Sequence, residues 1–98
     1  MRTTAVVFRV DREGVVFALF PELPADAFGD YCTCFQHVGQ HSSADYFGCI
    51  ANSRPATAKE YAALSEELKR RGYRLRVCQR ATRGMHDQRR SQAELERV

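Results

Sequence analysis

Residues 35–46 read Phe-Gln-His-Val-Gly-Gln-His-Ser-Ser-Ala-Asp-Tyr, which puts two imidazoles, two amides, two hydroxyls and a carboxylate within a dozen positions. Such groups can do chemistry in two ways. With Cys32 and Cys34 just upstream, His37 and His41 complete a Cys-x-Cys-x2-His-x3-His series, and Asp45 and Cys49 follow closely. Thiolate and imidazole are the ligand types zinc takes in a tetrahedron. Alternatively, His37 or His41, Ser42 or Ser43, and Asp45 supply the base, nucleophile and orienting carboxylate of a hydrolytic triad.

The elements that must position these groups argue against both. Residues 31–38 alternate as a strand, with Cys32, Cys34 and Gln36 on one face and Tyr31, Thr33, Phe35 and His37 on the other. Cysteines and histidine on opposite faces cannot share an ion, and the Cys-x2-Cys knuckle is missing. Neighbouring positions rarely line up nucleophile, base and orienter, and there is no Gly-x-Ser-x-Gly elbow. A chain this short also offers little room for a substrate pocket. No metal, cofactor or catalytic residue is therefore expected. A small metal-binding or hydrolytic domain centred on His37 and His41 remains the second reading. The structural reading gives Gly39 a positive φ and lets His41, Ser42 and Ser43 bind backbone groups at a turn or helix end.

The elements themselves can be followed along the chain. Residues 5–10 and 15–20 are β-branched and aromatic, and the polar stretch Asp11-Arg12-Glu13-Gly14 between them predicts a hairpin. Neither run alternates, so the second strand is expected to be central and buried on both faces. Pro21 and Pro24 should end it, leaving 21–30 as a surface loop. Residues 44–51 fit either a short strand or a helical turn. Thr57 with Glu60 forms a capping box, and Tyr61, Leu64 and Leu68 make an apolar stripe, predicting a helix over about 57–71 that Gly72 terminates. Beyond it the period becomes two: Tyr73, Leu75 and Val77 should point inward, with Arg74, Arg76 and Arg80 outward. The expected fold is α+β: a single domain with an antiparallel sheet of about four strands and one main helix on one face. Residues 1–81 form this domain, and 82–98 form a basic C-terminal extension, either a tail or a short, loosely docked helix. The open face would carry the arginines unless that tail or a second copy in a homodimer covers it.

Composition suits a globular protein, with 44% hydrophobic and 28% charged residues. There is no run of membrane-spanning length and no signal-peptide pattern, so the expectation is a cytoplasmic protein with no membrane partner and four free thiols. Net charge is +3 but unevenly placed. Residues 1–68 hold five Lys/Arg and nine Asp/Glu, giving −4, whereas residues 69–98 hold ten and three, giving +7. An acidic body with a basic final third suits an acidic partner surface or nucleic acid.

Several stretches together resemble a group of small, functionally unassigned proteins from bacteria, their mobile elements and phages. The matching pieces are Val6-Val7-Phe8-Arg9, Ala18-Leu19-Phe20-Pro21 and Gln36-His37-Val38-Gly39-Gln40-His41, then Pro55-Ala56-Thr57 through Glu60-Tyr61, and Gly72 to Val77. The resemblance covers residues 5 to about 80 and implies a compact α+β domain; it brings no activity and no catalytic residues. By analogy with small phage proteins, the expected role is non-enzymatic: binding and modulating a host protein or nucleoprotein complex, as an anti-CRISPR-like defence inhibitor would. Arg74, Arg76, Arg80, His37, Gln40 and His41 are the candidate binding residues. Sequence-independent nucleic-acid binding is the third reading.

Overall fold

The two non-alternating apolar runs become the middle of a sheet, because only a strand covered on both faces can bury consecutive side chains. The computed structural model describes residues 2–36 and 40–97. Strands β1 (Thr4–Asp11) and β2 (Val16–Pro24) form the expected antiparallel hairpin, with Val7 opposite Leu19 and Arg9 opposite Phe17. Asp11 Oδ1 accepts the N–H groups of Glu13 and Val15, each at 2.9 Å, and Gly14 takes φ 84° to close the turn. To one side lie β3 (Cys32–Gln36) and then β4 (Gln40–Ala44), both antiparallel to their neighbours. The other edge of β1 is shared. Its C-terminal half pairs antiparallel with β5 (Ser53–Pro55), and its N-terminal half pairs parallel with β6 (Leu75–Val77).

Both faces are covered. Val6, Phe8, Ala18, Phe20 and Phe35 pack against Leu64 and Leu68 of α2 (Ala58–Arg70), with Tyr61 stacked on Phe8 at 4.3 Å between ring centroids. Val7, Phe17, Leu19, Cys32 and Cys34 turn the other way, towards Tyr46 of α1 (Tyr46–Ala51), while α3 (Arg83–Arg97) lies along β2. Each fully buried aliphatic or aromatic side chain contributes about 1.5–3 kcal/mol. No helix among the described residues is long and apolar enough to cross a membrane.

The structure is α+β and mainly antiparallel, but it departs from the expected form in several places. Among the described residues there are six strands rather than about four, and three helices where one main helix and a tail or short helix were expected, and β6 runs parallel to β1. Pro21 does not end β2. The register shifts between Phe20 and Pro24, and the bulge releases proline from its ladder position. Pro21 and Gly29 are buried within the supposed surface loop. Tyr73 and Leu75 pack against the α2-side core, but Val77 is 44% exposed, because β6 is a three-residue strand that has no neighbour beyond it among the described residues. The face expected to be open is covered by α1 and α3.

Helix α2 follows its signals closely. Thr57 Oγ1 accepts the Glu60 N–H and the Glu60 carboxylate accepts the Thr57 N–H, and Arg54 adds two bonds to that carboxylate at 2.6 and 2.8 Å. At its other end the Gly72 N–H bonds Lys69 O and the Tyr73 N–H bonds Leu68 O, with Gly72 at φ 101°. That is the pattern of a Schellman cap.

Candidate functional site

The β3–β4 pairing decides where the polar stretch points. Phe35 sits opposite His41, Cys34 opposite Ser42 and Thr33 opposite Ser43. Directly opposed residues share a face, so His41 lies on the α2 side with Phe35, and the cysteines lie on the other. His41 is exposed, and its Nε2 shares a 2.8 Å hydrogen bond with Tyr73 Oη. Tyr73 is held in turn: Gly72 sends the chain back beside the last turn of α2, and the phenol ring stacks on Phe20 at 5.1 Å. Burial raises the Tyr73 pKa, so the hydroxyl stays protonated. The Arg71 guanidinium stands 5.0 Å over the Phe35 ring. His41, Arg71, Gly72 and Tyr73 line a shallow hollow of about 300 Å³. Such a surface can offer hydrogen bonds and positive charge to a partner.

Among the described residues, neither chemical series comes together. Cys32 and Cys34 face away from His41, and His37, with Gly39, lies outside the described residues. Gln40 opens β4 opposite Gln36. Among the described residues, no three His, Cys, Asp or Glu side chains are placed to hold one metal ion. Burial pushes the Cys32 thiol up to about 12, outweighing the nearby Arg89 charge. The Cys34 pKa is also raised by burial, against an opposing hydrogen bond with Ser42. Thiols held protonated are poor ligands and nucleophiles. Ser42 and Ser43 are residues of an edge strand here, not turn or helix-end binders.

Arg74, Arg76 and Arg80 are all exposed, at and just beyond β6. Arg76 is partly engaged, donating to Thr3 Oγ1 at 2.9 Å and lying 3.4 Å from Glu22. It lines a broad polar cleft of about 860 Å³ with Glu22, Tyr73, Gln88 and Gln92. Arg74, Arg80, Arg83 and Arg90 have no ion-pair partner among the described residues.

The rest of the basic segment is organised by a buried cation. Arg89 is 1% exposed, and its guanidinium donates to Gly29 O at 2.7 Å, Pro21 O at 2.9 Å and His86 Nδ1 at 2.7 Å. Guanidinium has no acceptor, so His86 must accept, which fixes it as the neutral Nε2–H tautomer. Burial and the neighbouring Arg89 and Arg90 charges lower the His86 pKa, with Asp87 opposing. The His86 ring meets Tyr46 edge-on at 4.8 Å and lies tilted against Phe47 at 5.0 Å. Tyr46 Oη accepts the Ala81 N–H at 2.7 Å and ties the start of α1 to the segment leading into α3. These rings, with Arg83, Asp87 and Arg90, line a second cleft of about 350 Å³.

No family model, curated protein or solved structure matches this chain. The geometry therefore carries the functional reading alone. Sequence reasoning grouped Arg74, Arg76 and Arg80 correctly as exposed and joined Arg83 and Arg90 to them as arginines able to track phosphates, but passed over Phe47 and His86. Two signals were available: the Tyr46-Phe47 aromatic pair, and Arg83, Asp87 and Arg90 at i, i+4 and i+7. Both are ordinary on a solvated helix, and only their meeting across α1 and α3 makes them a cleft.

Proposed function

We propose that this chain is a non-enzymatic accessory protein of a phage or mobile element, acting in the cytoplasm by binding a host protein or nucleoprotein complex, as a defence inhibitor does. One observation carries the reading. The basic third exposes Arg74, Arg80, Arg83 and Arg90 with no ion-pair partner among the described residues, while the carboxylates Glu60, Glu66, Glu67 and Glu22 serve other cations. Exposed guanidiniums left unneutralised by their own fold favour an acidic partner surface and raise the rate of encounter with it. Arg74, Arg76 and Arg80 are the principal contacts, with Gln40 and His41 at the β4 edge as a second contact region and His37 beside them in the sequence. A metal-centred or hydrolytic role draws no support from His41, whose ring is engaged by Tyr73 on the face opposite Cys32 and Cys34.

The test is affinity capture from host lysate with wild type, an Arg74/Arg76/Arg80→Glu variant and a His37/His41→Ala variant. A partner retained by the histidine variant and lost with the arginine variant supports the reading. If biological effect follows the histidines and no arginine-dependent partner is captured, the reading fails.

A further inference from the structure

Phe47 is 65% exposed on a six-residue helix whose one buried residue is Tyr46. A ring left in water forgoes the stabilisation that burial would give it. Its orientation is nevertheless fixed. Phe47 lies against His86, His86 is held by Arg89, and Arg89 is anchored by two backbone carbonyls. The result is a preorganised aromatic shelf at the mouth of a cleft of about 350 Å³, within the range of about 300–1,000 Å³ typical of ligand sites.

Charge defines what would lie on that shelf. Arg83 and Arg90 are exposed, lack an ion-pair partner among the described residues, and stand two helical turns apart on α3. Asp87 lies between them and lines the same cleft. Two guanidiniums alone would suit any polyanion. The carboxylate works against a simple anion but accepts readily from an amino-bearing ring edge. Phosphate, amino edge and flat π-face occur together in a nucleotide.

We infer that the cleft between α1 and α3 binds one unit of a single-stranded nucleic acid, with a base stacked on Phe47, its amino edge towards Asp87 and flanking phosphates against Arg83 and Arg90. A duplex keeps its bases stacked on each other and cannot offer one to Phe47. An acidic peptide satisfies the arginines but is repelled by Asp87 and leaves the ring unused. Arg83 and Arg90 belong also to the basic surface of the binding reading above, but Arg74, Arg76 and Arg80 do not line this cleft, so different substitutions test the two.

Fluorescence anisotropy with labelled ten-nucleotide single strands of mixed sequence tests it, using the full chain at several salt concentrations. Phe47→Ala should weaken binding by about five- to a hundred-fold, and Phe47→Tyr should not, because stacking needs only the ring. Arg83→Gln with Arg90→Gln should weaken binding and flatten the plot of log affinity against log salt by about 1.4, as expected for two lost phosphate contacts on a single strand. An Arg74/Arg76/Arg80→Gln variant should lose less than either. All these side chains are exposed, and circular dichroism of each variant establishes that folding is intact. The inference is overturned if no saturable binding occurs, or if Phe47→Ala binds like wild type. It is equally overturned if duplex or an acidic peptide competes better than a single strand, or if the Arg74/Arg76/Arg80 variant alone abolishes binding.

Discussion

Replacing Gly29 with alanine tests the docking of α3 with few complications. Gly29 has φ 75°, and a Cβ built there would lie 2.9 Å from Arg90 Cα, 3.1 Å from Arg89 O and 3.2 Å from Ala93 Cβ. The left-handed backbone costs a non-glycine residue about 1–2 kcal/mol. Pressing a methyl group into backbone that cannot rotate away adds about 1–3 kcal/mol. A less flexible unfolded chain returns about 0.4–1 kcal/mol. The net loss expected for Gly29→Ala is about 2–4 kcal/mol, or roughly 10–20 °C in Tm for a domain of this size. Gly14→Ala is the internal reference, since Gly14 has φ 84° but nothing within 4 Å of the added Cβ. It bears the backbone cost without the clash and should lose only about 1 kcal/mol. Urea titrations followed by far-ultraviolet circular dichroism measure both. If Gly29→Ala is no less stable than Gly14→Ala, the 25–31 loop does not pack on α3 as described.

Two further expectations concern pH. Because the folded His86 pKa is lowered by burial and by Arg89 and Arg90, against Asp87, the unfolded chain binds a proton first as pH falls below about 6.5. Stability is full above that value and declines through the window down to the lowered folded pKa; urea midpoints between pH 7.5 and 5 should fall, less steeply in His86→Asn, and a rise on acidification would refute the neutral acceptor role. Glu60 is held down to about 2, first by its hydrogen bonds with Arg54 and then by the Thr57 N–H, so its contribution is present above the ordinary carboxylate range and is lost as pH falls from there towards 2. Glu60→Gln should remove that acid-side slope while leaving α2 formed at neutral pH, and an unchanged acid profile would contradict the capping geometry.

Much of the fold was legible where local chemistry and packing agree. Asp11 and Gly14 marked the hairpin, and Thr57, Glu60 and Gly72 bounded α2, because turn and cap residues act on backbone within a few positions of themselves. Strand β4 was hidden because Gln-His-Ser-Ser-Ala offers backbone pairing with almost no apolar pattern, and only Ala44 in it is known to be buried. Helix α3 was expected only as a tail or a short, loosely docked helix for a related reason. It buries His86, Arg89 and Ala93, a proper i, i+3, i+7 stripe built from an imidazole, a guanidinium and a methyl group. Hydropathy sees nothing there, since the acceptors that make a buried arginine acceptable, Pro21 O and Gly29 O, lie 68 and 60 residues away. For the site, exposure of the arginines was legible from period alone, but the strand period separated only His37 from the cysteines, and the face of His41 follows from the β3–β4 register. The aromatic cleft depends on a meeting of α1 and α3 that no spacing foretells.

The central claim is that exposed arginines steer this protein onto an acidic partner. Its most direct test is the association rate with the captured partner, measured by surface plasmon resonance across ionic strength. Steered association predicts a rate that falls steeply with salt, drops at least tenfold in the Arg74/Arg76/Arg80→Glu variant at low salt, and is unchanged in His37/His41→Ala. An association rate insensitive to both salt and the arginine substitutions would contradict the claim.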